Sequence, residues 1–235
     1  MAYIIQDTTL SRIAEAIRVK NGTTDKIKVS DMAAMIKAIK AGGDGKEAAI
    51  IDRSITEYSN SSVGTVGNDA FSRCNSLTTV DFPKATSIGD FAFNSCYSLT
   101  TVNLPAATSI GDSAFSSCRS LTTVDLPAAT LIDSQCFYYC SKLITVDLQT
   151  ATQIGRYAFN RCSALKALII RTEQVCSLGS GLGNGIDSCY IYVPRALVSD
   201  YKAATNWAQY ADKFRALEDY TVDGTTTGEL DTTKI

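Results

Sequence analysis

The chain has 235 residues, with 22 Lys and Arg against 24 Asp and Glu, eight cysteines and no histidine. The missing imidazole excludes catalytic triads built on a histidine base and zinc sites that use histidine ligands. The formal net charge of −2 gives no general basic field for phosphate backbones, so nucleic acid is not an expected partner, while 45% hydrophobic residues indicate a globular chain.

The first 41 residues predict a helical hairpin. Ile13 and Ile17 lie on one face of a first helix, and Met32 and Ile36 lie on one face of a second. A hairpin of this size buries little apolar surface by itself. We therefore expect residues 1–41 to be an assembly module that docks on a partner protein or on copies of itself.

The stretch from Leu10 to Ile27 is also similar to the start of tail-associated proteins of phages and prophages of Gram-positive gut bacteria. This resemblance implies attachment to a virion assembled in the bacterial cytoplasm, with other tail proteins as partners. It agrees with first residues that lack the pattern of a secretory signal and with the absence of a stretch apolar enough for membrane insertion. Display on a bacterial cell surface is the alternative location.

A repeat of 22 residues occupies the middle of the chain. Successive units keep phenylalanine, cysteine, leucine and valine in fixed columns, as the interval from Phe71 to Phe93 shows (93 − 71 = 22). The typical unit reads Ile-Gly-Asp-x-Ala-Phe-x-x-Cys-x-x-Leu-Thr-Thr-Val-Asp-Leu-Pro-x-Ala-Thr-x. A single unit cannot bury these apolar side chains, whereas stacked units form one continuous core. The period therefore predicts a solenoid.

Two segments of each unit predict its local structure. The alternation in Leu-x-x-Val-x-Leu indicates one short strand per unit, and strands of neighbouring units are expected to pair in parallel. The spacing in Asp-x-Ala-Phe-x-x-Cys fits a short helix or 3-10 turn that returns the chain. Half-units at Ile55–Tyr58 and Ile191–Val193 are expected to extend the strand column at both ends.

These motifs make residues 44 to 194 resemble the BspA-like leucine-rich repeat of bacterial surface and phage-associated proteins. The resemblance implies an α/β repeat solenoid, a right-handed leucine-rich-repeat-like coil with short parallel β-strands on one face and short helical or 3-10 turns on the other. It also implies a non-enzymatic recognition protein that binds a host cell-surface protein or glycan, as a phage tail receptor-binding protein. The alternatives are a cell-surface adhesin and a purely structural tail component.

The domain boundaries follow from these elements. Residues 42–46 are a Gly-rich hinge, and residues 47–194 are the solenoid. Residues 195–218 resemble the C-terminal helical cap of the same family, and residues 219–235 are a hairpin or a loose tail. We expect the cap helix, through Leu197, Tyr201 and Trp207, to cover part of the apolar end of the strand face.

The outward strand positions are the first candidate binding surface. Threonine forms one row and acidic or amide side chains form the next, so the surface can meet sugar hydroxyls or a cation, or can simply be solvated. This strand-face strip comprises Thr79, Asp81, Thr101, Asn103, Thr123, Asp125, Thr145 and Asp147.

Aromatic and arginine side chains in the variable columns of the turn segment are the second candidate. Tyrosine and arginine are enriched where protein interfaces gain most of their energy, although an ordinary solvated flank has the same appearance. This flank comprises Phe91, Tyr97, Arg119, Tyr139, Tyr157 and Arg161.

The cysteines are interpreted as core residues rather than as a reactive site. Five of them occupy one column of the repeat, where a buried thiol acts as a small apolar side chain. Disulfides between Cys136 and Cys140 or between Cys176 and Cys189 remain open. No catalytic group, metal site or cofactor site is predicted.

Overall fold

The computed structural model describes residues 55–220, which form a parallel β-solenoid; each repeat unit makes one turn of the coil, called a rung below. The valine of Leu-x-x-Val-x-Leu is at the centre of a strand. Register is exact from unit to unit, with Tyr58 opposite Val80 and Val80 opposite Val102. This first column contains β1 (Glu57–Ser59), β3 (Thr79–Asp81), β5 (Thr101–Asn103), β7 (Thr123–Asp125), β9 (Thr145–Leu148), β11 (Ala167–Ile170), β13 (Tyr190–Val193) and β14 (Phe214–Ala216).

The sequence predicts one strand per unit, and the structure has two. A second column of two-residue strands forms a continuous six-stranded parallel sheet. A threonine precedes four of the six strands and supports the pairing, as Thr108 does by donating from Oγ1 to the carbonyl of Thr86 at 3.0 Å. Two residues are too few to show an alternating pattern, which explains the omission. The column contains β2 (Thr65–Val66), β4 (Ser87–Ile88), β6 (Ser109–Ile110), β8 (Leu131–Ile132), β10 (Gln153–Ile154) and β12 (Ser177–Leu178).

The prediction of a short helix or 3-10 turn in each unit is wrong. The segment from glycine to cysteine forms successive tight turns, because two residues per unit have positive φ, such as Ser113 at 54° and Ser117 at 64°. A left-handed residue cannot continue a right-handed helix. The N–H of Ser113 instead donates to Ser134 of the next rung at 2.9 Å, and that of Ser117 donates to Tyr138 at 2.7 Å.

The first strand column is interrupted once. Strands β1, β3 and β5 form a three-stranded sheet, and β7, β9, β11, β13 and β14 form a five-stranded sheet. The N–H of Thr100 donates to Thr78 at 2.9 Å and that of Ile144 donates to Thr122 at 2.7 Å. Within residues 55–220 no equivalent bond joins Thr122 to Thr100, and Val102 in β5 is only partly buried.

The core consists of side-chain columns that pack along the solenoid axis. The phenylalanine rings of neighbouring rungs stack with centroids 5.1 to 5.5 Å apart and ring planes within 10° of parallel. This spacing is close to the ~4.8 Å separation of paired strands, so the rings follow the rungs. The stacked rings are those of Phe71, Phe93, Phe115, Phe137 and Phe159.

Residues after Val193 cover the last rung. They form 3-10 helices at Arg195–Leu197, Ala208–Tyr210 and Leu217–Tyr220, helix α1 (Val198–Ala203), and strand β14, which pairs in parallel with β13. Strand β14 lies inside residues 195–218, for which the sequence predicts a helical cap. The segment therefore adds a strand to the first column as well as helical turns.

Side chains of this segment satisfy backbone groups of the last rung. Trp207 Nε1 donates to the carbonyl of Cys176 at 2.6 Å, and Asn206 Nδ2 donates to that of Leu178 at 3.0 Å. The hydroxyl of Tyr210 accepts the N–H of Leu182 at 2.9 Å. The end of the solenoid is thus capped by hydrogen bonds as well as by apolar packing.

The predicted hairpin of residues 1–41, the hinge at 42–46 and most of the tail at 219–235 lie outside the described residues.

Candidate binding surfaces

The strand-face strip lies on the outside of the first strand column, as predicted. Its first carboxylate, Asp81, is hydrogen-bonded to side chains of both neighbouring rungs. Asp81 accepts a hydrogen bond from the hydroxyl of Ser59 at 2.9 Å and another from the amide of Asn103 at 2.6 Å. Both neighbours occupy the same position one rung away. The carboxylate of Asp81 is therefore already stabilised within the protein.

Asp147 at the other end of the strip is paired with an arginine. Arg171 Nε lies 2.9 Å from Asp147 Oδ1, and Arg171 Nη2 lies 2.7 Å from Asp147 Oδ2, which is a bidentate ion pair. Arg171 was not predicted as a site residue, because it stands in the fifth unit at the position that holds proline in earlier units (Pro83, Pro105 and Pro127), where no binding residue was expected. The pair removes a second carboxylate of the strip from ligand binding.

Asp125 lies between these two engaged carboxylates. It is exposed, and none of the described residues donates a hydrogen bond to it. Partial burial, together with the negative charge of Asp147, raises the pKa of Asp125, while Arg171 acts in the opposite direction. The threonines of the strip, Thr79, Thr101, Thr123 and Thr145, flank this row on the same strands.

The apolar end of the strand face is covered differently from the prediction. Ala167, Ile169 and Tyr192 form a small separate cluster, against which Tyr190 and Leu217 pack. Tyr201 and Trp207 belong to the main core instead, and Leu197 packs against it. Tyr201 and Trp207 are directed inward: the Tyr201 hydroxyl accepts the N–H of Cys176 at 2.9 Å, and Trp207 donates to the carbonyl of the same residue.

The flank contains a continuous row of planar groups. The guanidinium of Arg119 lies over the ring of Tyr97 at 5.0 Å and over that of Tyr139 at 4.8 Å, and the guanidinium of Arg161 lies 5.7 Å from the Tyr139 ring. The row crosses four rungs. Each contact is a cation–π interaction that holds its arginine in a defined orientation.

The positions around this row carry only positive charge. We call the residues Arg73, Tyr97, Arg119, Tyr139 and Arg161 the arginine–tyrosine edge. These residues stand between the phenylalanine and the leucine of their units. Over the five units, the positions in this interval contain three arginines, one lysine at position 142 and no Asp or Glu. The edge is thus locally basic in a chain of net charge −2.

Several flank side chains are held by left-handed backbone. Tyr139 and Arg161 have φ of 61° and 62°, and Phe91 and Tyr157 have φ of 55° and 56°. This conformation favours glycine and costs about 1 kcal/mol or more for other residues. The N–H of each donates to the next rung, for example Tyr139 to Asn160 at 2.8 Å. The conformation therefore directs their side chains outward.

The structure separates the predicted flank into two parts. Tyr97, Arg119, Tyr139 and Arg161 are brought together by the contacts above. Phe91 and Tyr157 are both 42% exposed but lie three units apart in another column, and no ring contact within residues 55–220 joins either to the row. Arg73 was not among the predicted site residues. The lack of acidic residues in its column could have identified it.

The cysteine column is buried, which confirms the core prediction. All eight cysteines are reduced thiols with side chains inside the solenoid, so neither of the two open pairings forms a disulfide in the structure. The thiols are also hydrogen-bond donors. Cys118 Sγ lies 3.2 Å from the carbonyl of Phe93, and Cys140 Sγ lies 3.1 Å from that of Phe115.

Burial makes these thiols unreactive. It raises the pKa of Cys162, Cys176 and Cys189 to about 12 and raises the pKa of Cys118 and Cys140 well above the ordinary thiol value. A thiolate is required for attack on disulfides and for metal binding. The column is thus a structural feature.

Two other kinds of site are absent from the described part of the chain. Residues 55–220 contain no group of three or more His, Cys, Asp or Glu side chains arranged to hold a metal ion. In the same residues no helix has the length and apolar character needed to cross a membrane.

The repeats match a known family. The profile of the BspA-type leucine-rich repeat region matches residues 54–181 in six copies. No curated protein matches the chain.

Two solved structures are similar to the solenoid. A leucine-rich repeat protein from Bacteroides ovatus ATCC 8483 shares 19% identity, with a TM-score of 0.40, over 60% of this chain and 56% of that one. The leucine-rich repeat protein of T. pallidum shares 21% identity, with a TM-score of 0.41, over 63% of this chain and 76% of that one. The chain thus spans little more than half the length of the first.

Proposed function

The chain belongs to the BspA-type leucine-rich repeat family, and we propose that it is a recognition protein that binds a cell-surface protein or glycan through its arginine–tyrosine edge. Proteins of this repeat family are typically non-enzymatic binding proteins. The observation that carries the proposal is the exposed row of alternating tyrosines and arginines from Tyr97 to Arg161. Large planar side chains held in place lose little entropy on binding.

The strand-face strip is less suited to this role. Asp81 is bonded to Ser59 and Asn103, and Asp147 is paired with Arg171. A ligand would have to replace these bonds before it gained any of its own. The arginine–tyrosine edge has no such cost, because the ion pairs of residues 55–220 do not include its arginines.

For the location we propose display on a bacterial cell surface rather than on a phage tail. The family match covers the repeats, whereas the phage resemblance rests on Leu10–Ile27, outside the described part of the chain. Fractionation of the source cells tests this. The protein should be found on the cell surface, and its recovery in purified phage particles would favour the tail location instead.

Cell binding tests the function itself. The full chain, fluorescently labelled, is titrated onto panels of bacterial and animal cells, and saturable binding to at least one type is expected. The Arg119→Gln variant should bind about tenfold more weakly, while Asn103→Ala in the strand-face strip should bind like the wild type. An absence of saturable binding, or the reverse ranking of the two variants, would contradict the proposal.

A further inference from the structure

We propose that the ligand of the arginine–tyrosine edge is a linear acidic glycan, lying along the solenoid axis with its carboxylates or sulfates on Arg119 and Arg161. This inference rests on the proposed recognition function and specifies its ligand. It follows from the orientation of the guanidinium groups, the local charge, the spacing of the row and the backbone that supports it.

The two tyrosines determine which part of Arg119 faces a ligand. The guanidinium lies between the ring of Tyr97, one rung before it, and the ring of Tyr139, one rung after it, at 5.0 and 4.8 Å. The side chain of Arg119 is exposed, so its N–H donors are open to solvent. They make no hydrogen bond to any of the residues 55–220. A planar group with unused parallel donors matches the two oxygens of a carboxylate or sulfate.

The local charge favours an anionic ligand over a neutral one. In the five repeat units the edge arginines and Lys142 are the charged residues between the phenylalanine and the leucine, and no carboxylate occupies these positions. The acidic side chains of the turn segment are at its other end, where Asp90 Oδ1 accepts the N–H of Asp112 at 3.0 Å. These carboxylates therefore do not neutralise the positive charge of the edge.

The spacing favours a linear polymer over an acidic protein surface. Arg119 and Arg161 belong to rungs two units apart, and neighbouring rungs stack at 5.1 to 5.5 Å. Two rungs thus span about 10 Å, which is close to the length of one disaccharide in an extended chain. A glycan with one acidic sugar per disaccharide would place one anion on each arginine and a neutral sugar beside Tyr139.

The backbone holds these side chains away from the core. Tyr139 and Arg161 have φ of 61° and 62°, and Ser95 and Ser117 adopt the same conformation at the equivalent position of other units. The conformation therefore belongs to the turn of each unit, and it directs outward whichever side chain occupies the position.

The test uses the full chain and three probes: hyaluronan, which has one glucuronate per disaccharide, neutral dextran, and free sodium glucuronate. We expect saturable binding to hyaluronan alone. The variant Arg119→Gln should raise the dissociation constant about tenfold or more, because a charge-assisted bidentate contact is lost. The control variant, Arg156→Gln, removes the same charge from an exposed position outside the edge and should change the dissociation constant less than twofold. Unchanged circular dichroism and melting temperature would show that both variants are folded.

The outcomes separate this inference from the proposed function. Equal weakening by Arg119→Gln and Arg156→Gln would show non-specific attraction to the whole protein and would overturn the inference. If free glucuronate bound as tightly as hyaluronan, a polymeric ligand would not be required, and the inference would be overturned. A third outcome is Arg119-dependent binding to cells that is lost after protease treatment of the cells, together with no binding to hyaluronan. This outcome would overturn the glycan inference, because the ligand would be a protein, and would leave the recognition function intact.

Discussion

The cysteine of each repeat unit fills core volume and donates a hydrogen bond. The carbonyl of Phe93 accepts the backbone N–H of Cys96 in its own rung at 3.2 Å and the thiol of Cys118 in the next rung, also at 3.2 Å. Alanine would leave the second bond unmade, and serine would bury a more polar group. Cysteine is thus the small side chain that satisfies both requirements.

Alkylation measures how well this column is protected. In the native protein we expect all eight cysteines to react slowly with iodoacetamide, since burial raises the thiol pKa, to about 12 at Cys162 and Cys176. After denaturation without reductant all eight should react quickly, as counted by mass spectrometry. Fewer than eight modified cysteines would reveal a disulfide and refute the reduced column.

Asp125 should make stability depend on pH. Its pKa is raised above the ordinary 3.8 in the folded protein by burial and by Asp147, so the folded state holds this proton more tightly than the unfolded state does. The associated stabilisation is present below the ordinary pKa and is lost as pH rises through the folded value. Asp125→Asn should therefore raise the urea midpoint at pH 7 and leave it nearly unchanged near pH 3.

The control for this prediction is Asp212→Asn, which removes a carboxylate from the C-terminal segment, away from the strip. It should not reproduce the effect. A decrease in the midpoint of Asp125→Asn at pH 7 would show that the Asp125 carboxylate makes a favourable interaction in the folded protein, which contradicts the prediction.

At the scale of the element, the strands were predictable and the turns were not. Leu-x-x-Val-x-Leu shows its alternation within six residues, and its register follows from the period, so the first column and both half-unit extensions were expected. The turn segment has helical spacing of Ala, Phe and Cys. Its two left-handed residues are Asp, Arg, Phe, Ser, Gln or Tyr in different units, and of these types only Asp, found in one unit, is enriched at positive φ.

The binding surface shows the same division. Its residues were identified from their type, but their arrangement was not. The contacts of Arg119 with Tyr97 and Tyr139 join two different columns of the repeat. Comparison of units within a column cannot find a diagonal row, because it depends on the direction in which each backbone position presents its side chain.

A glycine substitution tests the left-handed turn. Ser117 has φ of 64°, so Ser117→Gly should relieve strain and stabilise the protein by up to about 1 kcal/mol, less the added entropy of the unfolded chain. Ser117→Val should destabilise it by a similar amount or more. The measurement is the free energy of unfolding in urea.

Ser120→Gly is the matched control, since Ser120 lies in the same unit without positive φ. It should be neutral or destabilising. Equal effects of glycine at positions 117 and 120 would contradict the assignment of strain to Ser117.

At the scale of the whole molecule, the period should allow a complete unit to be removed. Deleting residues 89–110 joins Ile88 to Gly111 and keeps every later residue in its column, so the protein should fold with lower stability. The urea m-value should decrease with the buried surface. Deleting only residues 100–110 would place strands opposite turns, and that variant should not fold. If both deletion variants folded, as measured by circular dichroism, the stacking of equivalent residues in columns would be contradicted.

The hydrogen bonds between rungs also give the solenoid a direction. In the second strand column later rungs donate to earlier ones, as Gly111 does to Ile88, whereas in the turn column earlier rungs donate to later ones, as Phe93 does to Ala114. The two ends of such a stack are complementary to each other and not to themselves. Contacts between ends would thus be head-to-tail and would not close into a dimer. The bonds that Asn206, Trp207 and Tyr210 make to the last rung therefore occupy backbone groups to which the first rung of another copy would have to bond.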